Sequence, residues 1–268
     1  MGAVRLSGVA TPYVRNLGRR AHFLHNLPEF HERESDDRAA FHQAILNNII
    51  WIIAYMVIPI PVGFLIALGL EDARPVGYKV LRVMFYIPMA ISLIAVGLMW
   101  TWMYNPNWGI INTVLRGIGL DGAARQWLGE PELALFSVIV ASYWNFIPLI
   151  IIILGAGLTQ VPVDLIESER IDGATYIQRV RLIKIPVIRP SFIIAMVITV
   201  IFSLRVFDIV FAMTGGGPVN ASEVLGSLMY QEAFRNTMLG YGSSIATVLT
   251  TLTLAFIILY LRQLVRSE

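Results

Sequence analysis

Two charged residues, Arg205 and Asp208, interrupt an apolar stretch that runs from residue 191 to residue 213. A charge inside a membrane span is costly, so such residues usually face a protein interior or an aqueous cavity. Their spacing of three residues predicts that they share one helical face, close enough to pair. Two interpretations stay open: an internal ion pair that neutralises both charges, or polar groups that line an aqueous pathway.

A second cluster lies in another apolar run, where Tyr143, Trp144 and Asn145 shortly precede Pro148. A phenol and an amide can hydrogen-bond to the hydroxyl groups of a polyol, and an aromatic face can pack against its ring. The alternative is aromatic packing between neighbouring helices, with no ligand. The residue types alone leave both interpretations open.

The stretch between residues 159 and 190 carries mixed charge, including Glu167, Arg170 and Asp172. Its proline and apolar residues predict a short helix that Gly173 ends, followed by a second amphipathic helix. This pattern is typical of a helix that basic residues hold on the lipid surface, or of a docking site for a protein partner.

Long apolar segments must position these residues. The 268-residue chain is 56% apolar and only 14% charged, with a mean hydropathy of +0.68, whereas an average soluble domain has about 25% charged residues. An ordinary soluble domain is therefore excluded. Because about 20 helical residues cross the hydrocarbon core and backbone polar groups must be satisfied internally there, the sequence predicts an all-α polytopic membrane protein. Its five predicted spans cover about residues 44–70, 83–104, 133–158, 191–213 and 241–261.

Basic residues in the connecting segments predict the orientation of these spans. The 71–82 loop, the 159–190 loop and the C-terminal tail are rich in Lys and Arg, whereas the 105–132 and 214–240 loops hold few. By the positive-inside rule, the first set is cytoplasmic and the second is external. The C-terminus is then cytoplasmic, and five spans place the N-terminal side outside.

The motifs of the 159–190 loop resemble a known family. The run from Glu167 to Ala174, followed by Ile183, Pro186 and Pro190, is similar to the cytoplasmic "EAA" loop of ATP-binding-cassette (ABC) import permeases. Its Asp-Gly-Ala core and both prolines are present. Ser168 and Glu169 replace the two usual alanines, and Val180 replaces the usual phenylalanine.

Three further motifs resemble the sugar and glycerol-phosphate branch of these permeases. They are Thr214–Pro218 outside the fifth of the usual six helices, Asn105–Asn112 in an external loop, and Phe41, Ala44 and Asn47 at the opening of the second helix. The resemblance runs from about residue 41 to residue 262. It implies the six-helix core of a type I ABC importer permease, with residues 44–268 as the membrane domain and the first helix missing.

The N-terminal segment, residues 1–43, conflicts with its external placement. It is polar, contains six arginines and has no apolar region typical of a signal peptide. We expect it to be surface-exposed or partly disordered. The protein is either a five-helix variant or a sequence short at its start, and we favour the second because nothing in the segment would drive its translocation.

The resemblance implies a permease subunit of an ATP-driven importer for a sugar or related polyol in the cytoplasmic membrane of a prokaryote. Implied partners are a homologous second permease, two cytoplasmic ATPase subunits, an external solute-binding protein and membrane lipid, with no nucleic acid. The chain itself would be no enzyme, because no Gly-x-x-x-x-Gly-Lys-Ser/Thr motif is present and ATP would be used by partners. We expect no cofactor or metal, since cysteine is absent and the four histidines suit no metal site.

By the same resemblance, the ATPase-coupling residues are Glu167, Arg170, Asp172, Gly173 and Ala174. Gly173 would permit a sharp turn, Asp172 would cap the next helix, and Glu167 would offer a charge to a basic partner. The candidate residues of the substrate pathway are Tyr143, Trp144, Asn145, Arg205, Phe207 and Asp208, with Phe207 as a surface on which a sugar ring could stack.

Two functions of another class use the same charges. Asp208 and Arg205 could serve an ion-coupled carrier, in which Asp208 takes a proton, or a membrane-embedded enzyme. Neither function accounts for the motifs of the 159–190 loop.

Overall fold

The computed structural model describes residues 27–73, 78–171 and 173–266. The chain divides into two compact units, Met1–His42 and Gln43–Glu268. In the first unit the described residues, 27–42, are helical. The described part of the second unit is also helical apart from its turns and loops, and no strand occurs in these ranges. The all-α class predicted from the sequence is confirmed.

The helices follow one another with short connections. They are α1 (Leu27–Val57), α2 (Pro59–Ala73), α3 (Tyr78–Tyr86), α4 (Leu93–Met103), α5 (Ile110–Gly117), α6 (Pro131–Leu158), α7 (Val163–Ile171), α8 (Tyr176–Val187), α9 (Arg189–Leu204), α10 (Asp208–Met213), α11 (Leu225–Tyr230) and α12 (Leu239–Arg266). A 3-10 turn, Ile87–Ala90, follows α3, and another forms at Asp121–Ala123. Helix α8 contains a π-helical stretch, Val180–Lys184, and a second, Gln231–Arg235, follows α11.

Three described segments are long and apolar enough to cross a membrane: Asp36–Glu71, Pro131–Leu158 and Leu239–Ile258. Two further pairs qualify only when joined across a bend. Val80–Ala90 meets Leu93–Met103 at 97°, and Tyr176–Val187 meets Arg189–Leu204 at 70°. The described residues thus contain three candidate spans, or five if each bent pair is one span.

The predicted spans 83–104 and 191–213 are wrong as continuous helices. In the first, Pro88 lies in a 3-10 turn and the chain becomes extended at Ile91 before α4 begins. In the second, α9 ends at Leu204, and α10 begins only at Asp208. Hydropathy located both segments but not their breaks, because an average over many residues does not distinguish a broken helix from a continuous one. Pro88 lies at the first break, and Arg205 and Asp208 flank the second.

Helix α1 begins at Leu27, within the polar segment 1–43. The prediction that this segment lies on the surface stays a prediction. The order or disorder of residues 1–26 lies outside the described residues.

Helix α6 is the centre of the second unit. It packs against α2, α4 and α9, and Val138, Ile150 and Leu154 are among its buried side chains. By contrast, only 11% of the apolar window of α12 is buried. Helix α6 therefore positions the other spans, whereas α12 lies at the outside of this chain.

Two glycines allow the helices to approach closely. A Cβ atom at Gly63 of α2 would lie 2.6 Å from Cγ2 of Ile150 on α6. At Gly97 of α4, a Cβ atom would lie 2.8 Å from Cβ of Ala212 on α10. Small residues serve this purpose in membranes, where close packing drives helix association.

We expect the substitution Gly63→Ala to lower the melting temperature of the purified protein, because overpacking of a close contact costs about 1–3 kcal/mol. Gly69→Ala in the same helix is the matched control, since nothing lies within 4 Å of its Cβ position and alanine favours helix by roughly 1 kcal/mol. Thermal unfolding in detergent measures both variants. A Gly63→Ala variant as stable as Gly69→Ala would contradict the close contact.

Candidate functional site

A buried amide stabilises the break between α9 and α10, residues 205–207. The carbonyls at the end of a helix lack intrahelical partners, and the Asn48 amide nitrogen donates to the carbonyls of Ser203 at 2.8 Å and Leu204 at 3.4 Å. Its amide oxygen accepts from the backbone N–H of Leu225 at 2.9 Å. One side chain of α1 thus joins the end of α9 to the start of α11.

The preceding residue, Asn47, holds the loop after α10 in the same way. Its amide nitrogen donates to the carbonyls of Ala221 at 3.0 Å and Glu223 at 2.7 Å. Both asparagines are buried, with at most 2% of their surface exposed. Together, Asn47 and Asn48 form an amide clamp, which fixes the loop and the break against the first span.

The loop 214–224 contains the Thr-Gly-Gly-Gly-Pro motif and is tightly hydrogen-bonded. The Ser222 hydroxyl lies 2.8 Å from that of Thr214 and donates to the Gly217 carbonyl at 2.7 Å. Gly215 and Gly216 adopt left-handed φ angles of +59° and +93°, which side chains disfavour. The motif therefore forms a hydrogen-bonded turn, and its backbone conformation favours glycine at positions 215 and 216.

Beside this turn, the carboxyl group of Glu223 is fully buried. Its Oε2 accepts from the Gln231 side chain at 2.9 Å, and its Oε1 has no partner. Burial raises the pKa of Glu223 to about 7, and nearby Glu232 adds to the rise, whereas hydrogen bonds from Ser227 and Gln231 oppose it. A carboxyl group in this setting is partly protonated near neutral pH.

A cavity of about 270 Å³, lined mainly by apolar side chains, opens at the α9–α10 break. Four of the six predicted pathway residues line it: Asn145, Arg205, Phe207 and Asp208. Apolar side chains complete the wall, among them Tyr55, Phe146 and Phe202. The cavity brings together an amide, a guanidinium, a carboxylate and aromatic faces.

The predicted helical pairing of Arg205 with Asp208 is wrong. Phe207 has φ −149° and ψ −59°, and α10 starts only at Asp208, so the two charges do not lie on one turn of a continuous helix. Among the residues that the structure describes, no ion pair within 4 Å joins them. Both side chains are exposed in this chain, and Asp208 lies in the first turn of α10, where the helix dipole favours a carboxylate.

The three neighbours on α6 point in different directions, because successive helical residues are about 100° apart. The Tyr143 hydroxyl donates to the Ala54 carbonyl at 3.1 Å, and its ring packs near Tyr55. Trp144 lines a separate apolar groove beside α3. Asn145 lines the cavity at the α9–α10 break and also donates to the carbonyls of Pro88 at 2.6 Å and Ile91 at 3.1 Å. Tyr143 and Trp144 therefore lie outside the cavity.

In the 159–190 segment, a glycine turn separates α7 from α8. Gly173 has φ +81° with open space around it, and Glu167 is exposed on α7. The carbonyl of Ala174 accepts from Arg179 at 2.6 Å. Asp172 and the side chain of Arg170 lie outside the described residues. The N-cap of α8 is Thr175, in a capping box with Gln178, rather than the expected Asp172.

Sequence reasoning missed several residues that organise these regions. The Asn47–Asn48 pair inside an apolar span was a readable signal, since buried amides need partners. The contact of Glu223 with Gln231 and the ion pair of Glu71 with Lys184, 113 residues apart, have no local signal.

Broken and bent apolar helices around a cavity that holds charged groups are typical of a membrane transport subunit. Residues 59–267 match the model of the family described as "Binding-protein-dependent transport system inner membrane component". The chain belongs to this family, whose relatives are ABC transporter permeases.

Curated relatives support this assignment over most of their length. A probable ABC transporter permease protein, YurN of Bacillus subtilis, is 35% identical over 223 residues, which are 83% of this chain and 76% of the relative. The trehalose/maltose permease MalF of Thermococcus litoralis is 36% identical over 200 residues, 75% of this chain and 66% of the relative. The xylose/arabinose permease XacH of Haloferax volcanii is 30% identical over 223 residues, 83% of this chain and 69% of the relative.

Solved structures establish the fold independently. The chain is similar to a bacterial ABC transporter involved in the import of the acidic polysaccharide alginate, with a TM-score of 0.77 and 22% identity over 85% of this chain and 79% of that one. A bacterial alginate transporter in complex with a pentasaccharide-bound periplasmic protein gives a TM-score of 0.73 and 22% identity, over 92% and 91% of the chains.

We expect Asn48→Leu to destabilise the protein by several kcal/mol, because two carbonyls and one N–H lose their partner and each unsatisfied buried group costs about 1–3 kcal/mol. Asn107→Leu, at an exposed external asparagine, is the control. Thermal unfolding in detergent compares the two. The assigned role of the amide clamp fails if Asn48→Leu unfolds at the wild-type temperature.

Proposed function

We propose that this ABC transporter permease subunit carries a sugar or related polyol across the cytoplasmic membrane. The observation that supports this most is the cavity at the α9–α10 break, where a few polar groups lie among apolar side chains. Asn145, Arg205 and Asp208 offer donors and acceptors for hydroxyl groups, and Phe207 offers an aromatic face. The names of relatives, trehalose/maltose and xylose/arabinose permeases, agree with this substrate class.

Transport is driven by ATP that partner ATPase subunits hydrolyse, and the 159–190 loop couples the two. Exposed Glu167 and the open turn at Gly173 form its free surface. Arg170, Asp172 and Ala174 belong to the same coupling surface by their place in the motif. An exposed carboxylate beside a turn is suited to a basic groove on a partner.

The complete transporter contains a second, homologous permease, two ATPase subunits and an external solute-binding protein. The C-terminus lies in the cytoplasm, as the basic residues near the membrane indicate. The exposed surface of α12 leaves area for contact with lipid or with the second permease.

Two experiments separate this proposal from an ion-coupled carrier or a membrane-embedded enzyme that uses Asp208 and Arg205. The first asks whether the chain, purified from membranes, carries an ATPase subunit with it. The second measures uptake and sugar turnover by the lone chain. Autonomous, proton-dependent uptake by the lone chain would contradict the proposal, and so would turnover of a sugar without transport.

Coupling is tested with Gly173→Leu. A bulky residue at a left-handed position distorts the turn and obstructs the partner's groove, so we expect ATP-dependent uptake to fall by ~10-fold or more while the complex still assembles. Gly119→Leu is the matched control, because Gly119 also has φ +81° and open surroundings but lies in the external loop. Uptake of radiolabelled maltose, trehalose, xylose and arabinose into proteoliposomes measures the effect. Equal losses in both variants would place the defect in folding.

The substrate pathway is tested with the double variant Arg205→Ala/Asp208→Ala. Hydrogen bonds to charged groups contribute about 1.5–3 kcal/mol each, so we expect the apparent KM for the transported sugar to rise by at least ~10-fold. Arg235→Ala/Asp121→Ala removes the same charge types from exposed external positions and should transport normally. An unchanged KM and sugar preference in the first variant would exclude these residues from the pathway.

A further inference from the structure

One basic residue of the cytoplasmic loop is turned inward. The Lys184 side chain is only 3% exposed, and its Nζ lies 3.4 Å from Oε2 of Glu71, whose side chain is 23% exposed. Lysines at a membrane surface normally extend toward water or headgroups. Arg181, three residues earlier in the same π-helical stretch, is exposed in that ordinary way. Lys184 therefore does not act as a surface anchor to lipid.

The ion pair joins two parts of the chain that are far apart in sequence. Lys184 is the last residue of the π-helical stretch in α8, the helix that follows the turn at Gly173. Glu71 lies in the last turns of α2, the cytoplasmic end of the first span. The Tyr176 ring, at the start of α8, lies 6.0 Å from Nζ of Lys184. The pair thus connects the C-terminal part of α8 to the first span, and the Tyr176 ring packs near it.

A second contact holds the same segment by apolar packing. Ile188, after α8, is 1% exposed, and a Cβ atom at Gly157 of α6 would meet both Ile188 and Ser191. Apolar contacts of this kind tolerate sliding because they have no preferred direction. An ion pair favours one arrangement, since its attraction weakens as the two charges move apart and is stronger where water is largely excluded, as around Lys184.

We propose that Lys184 and Glu71 are positioning residues that make the 159–190 loop and the first span move as one body. The inference rests on the proposed coupling role of this loop. In it, the exposed turn around Gly173 receives the motion of the ATPase, and the buried pair passes that motion to α2. The π-helical stretch, a form often found at functional sites, widens the helix where Lys184 turns inward.

The absence of cysteine from the sequence permits a direct distance measurement. Spin labels on cysteines at Leu65 of α2 and Ile177 of α8, both exposed, report the distance between span and loop. The chain is labelled before reassembly with its co-purified partners. Pulsed electron resonance then records the distance without nucleotide and with ADP–vanadate trapped in the ATPase subunits.

In the wild type we expect one narrow distance that is the same in both nucleotide states. In Glu71→Gln, the loop should follow the ATPase without the span, so the distance should shift on nucleotide trapping by about 5 Å, the rise of one helical turn. The exchanged pair Glu71→Lys/Lys184→Glu should restore the wild-type behaviour. Arg181→Gln, which removes an exposed charge from the same stretch, should change nothing.

Three results would overturn the inference. They are a wild-type distance that changes with nucleotide, a Glu71→Gln distance that stays fixed, and an exchanged pair that behaves like Glu71→Gln. If Glu71→Gln does not fold, the exchanged pair and Lys184→Met decide between these results. Failure of the proposed function appears separately, as a wild-type complex without an ATPase, and the inference then fails with it.

Discussion

The structure depends on one constraint: at membrane depth, every backbone N–H and C=O group must find a partner inside the protein. Unbroken helices such as α6 meet it by themselves. At the α3–α4 bend and at the α9–α10 break, asparagine side chains from neighbouring helices provide such partners. Asn48 satisfies the carbonyls at the end of α9, and Asn145 satisfies those at the bend between α3 and α4. Together with Asn47, which holds the loop after α10, these side chains give partners to backbone groups that a broken helix leaves unpaired.

The breaks in turn create the candidate site. Because α9 stops at Leu204, Arg205 and Asp208 leave the regular helix and line a cavity with Asn145 and Phe207. A continuous helix would have allowed the two charges to neutralise each other on one face. Asn145 hydrogen-bonds to the bend between α3 and α4 and also lines the cavity. The same residue therefore supports the fold and offers a polar group at the site. Arg205 and Asp208 are thus exposed at the cavity, within a segment that is otherwise apolar.

The 159–190 loop combines an exposed and an anchored part. Around Gly173 the chain makes an open turn, and Glu167 projects from α7. At the other end, Ile188 packs on the end of α6, and Lys184 pairs with Glu71. A segment with an exposed turn at Gly173 and an anchored end at Lys184 and Ile188 can transmit a displacement of the turn to the helices it contacts. A helix held only by lipid has no such contacts. This division favours a protein-docking role over a lipid-surface role for the loop.

The sequence by itself determined the helical class, the position of the apolar segments and the glycine turns, because hydropathy, helix length and left-handed glycines act locally. It also placed Arg205 and Asp208 among the functional candidates, since charges in an apolar run are costly wherever they lie. Only the tertiary structure decided that the helix breaks at residue 205, that Tyr143 and Trp144 face away from the cavity, and that Lys184 reaches Glu71. Those outcomes depend on partners from distant helices: the Asn48 amide, the α1 and α3 surfaces, and a carboxylate 113 residues away. No local pattern encodes them, because their energy arises only when the spans pack together.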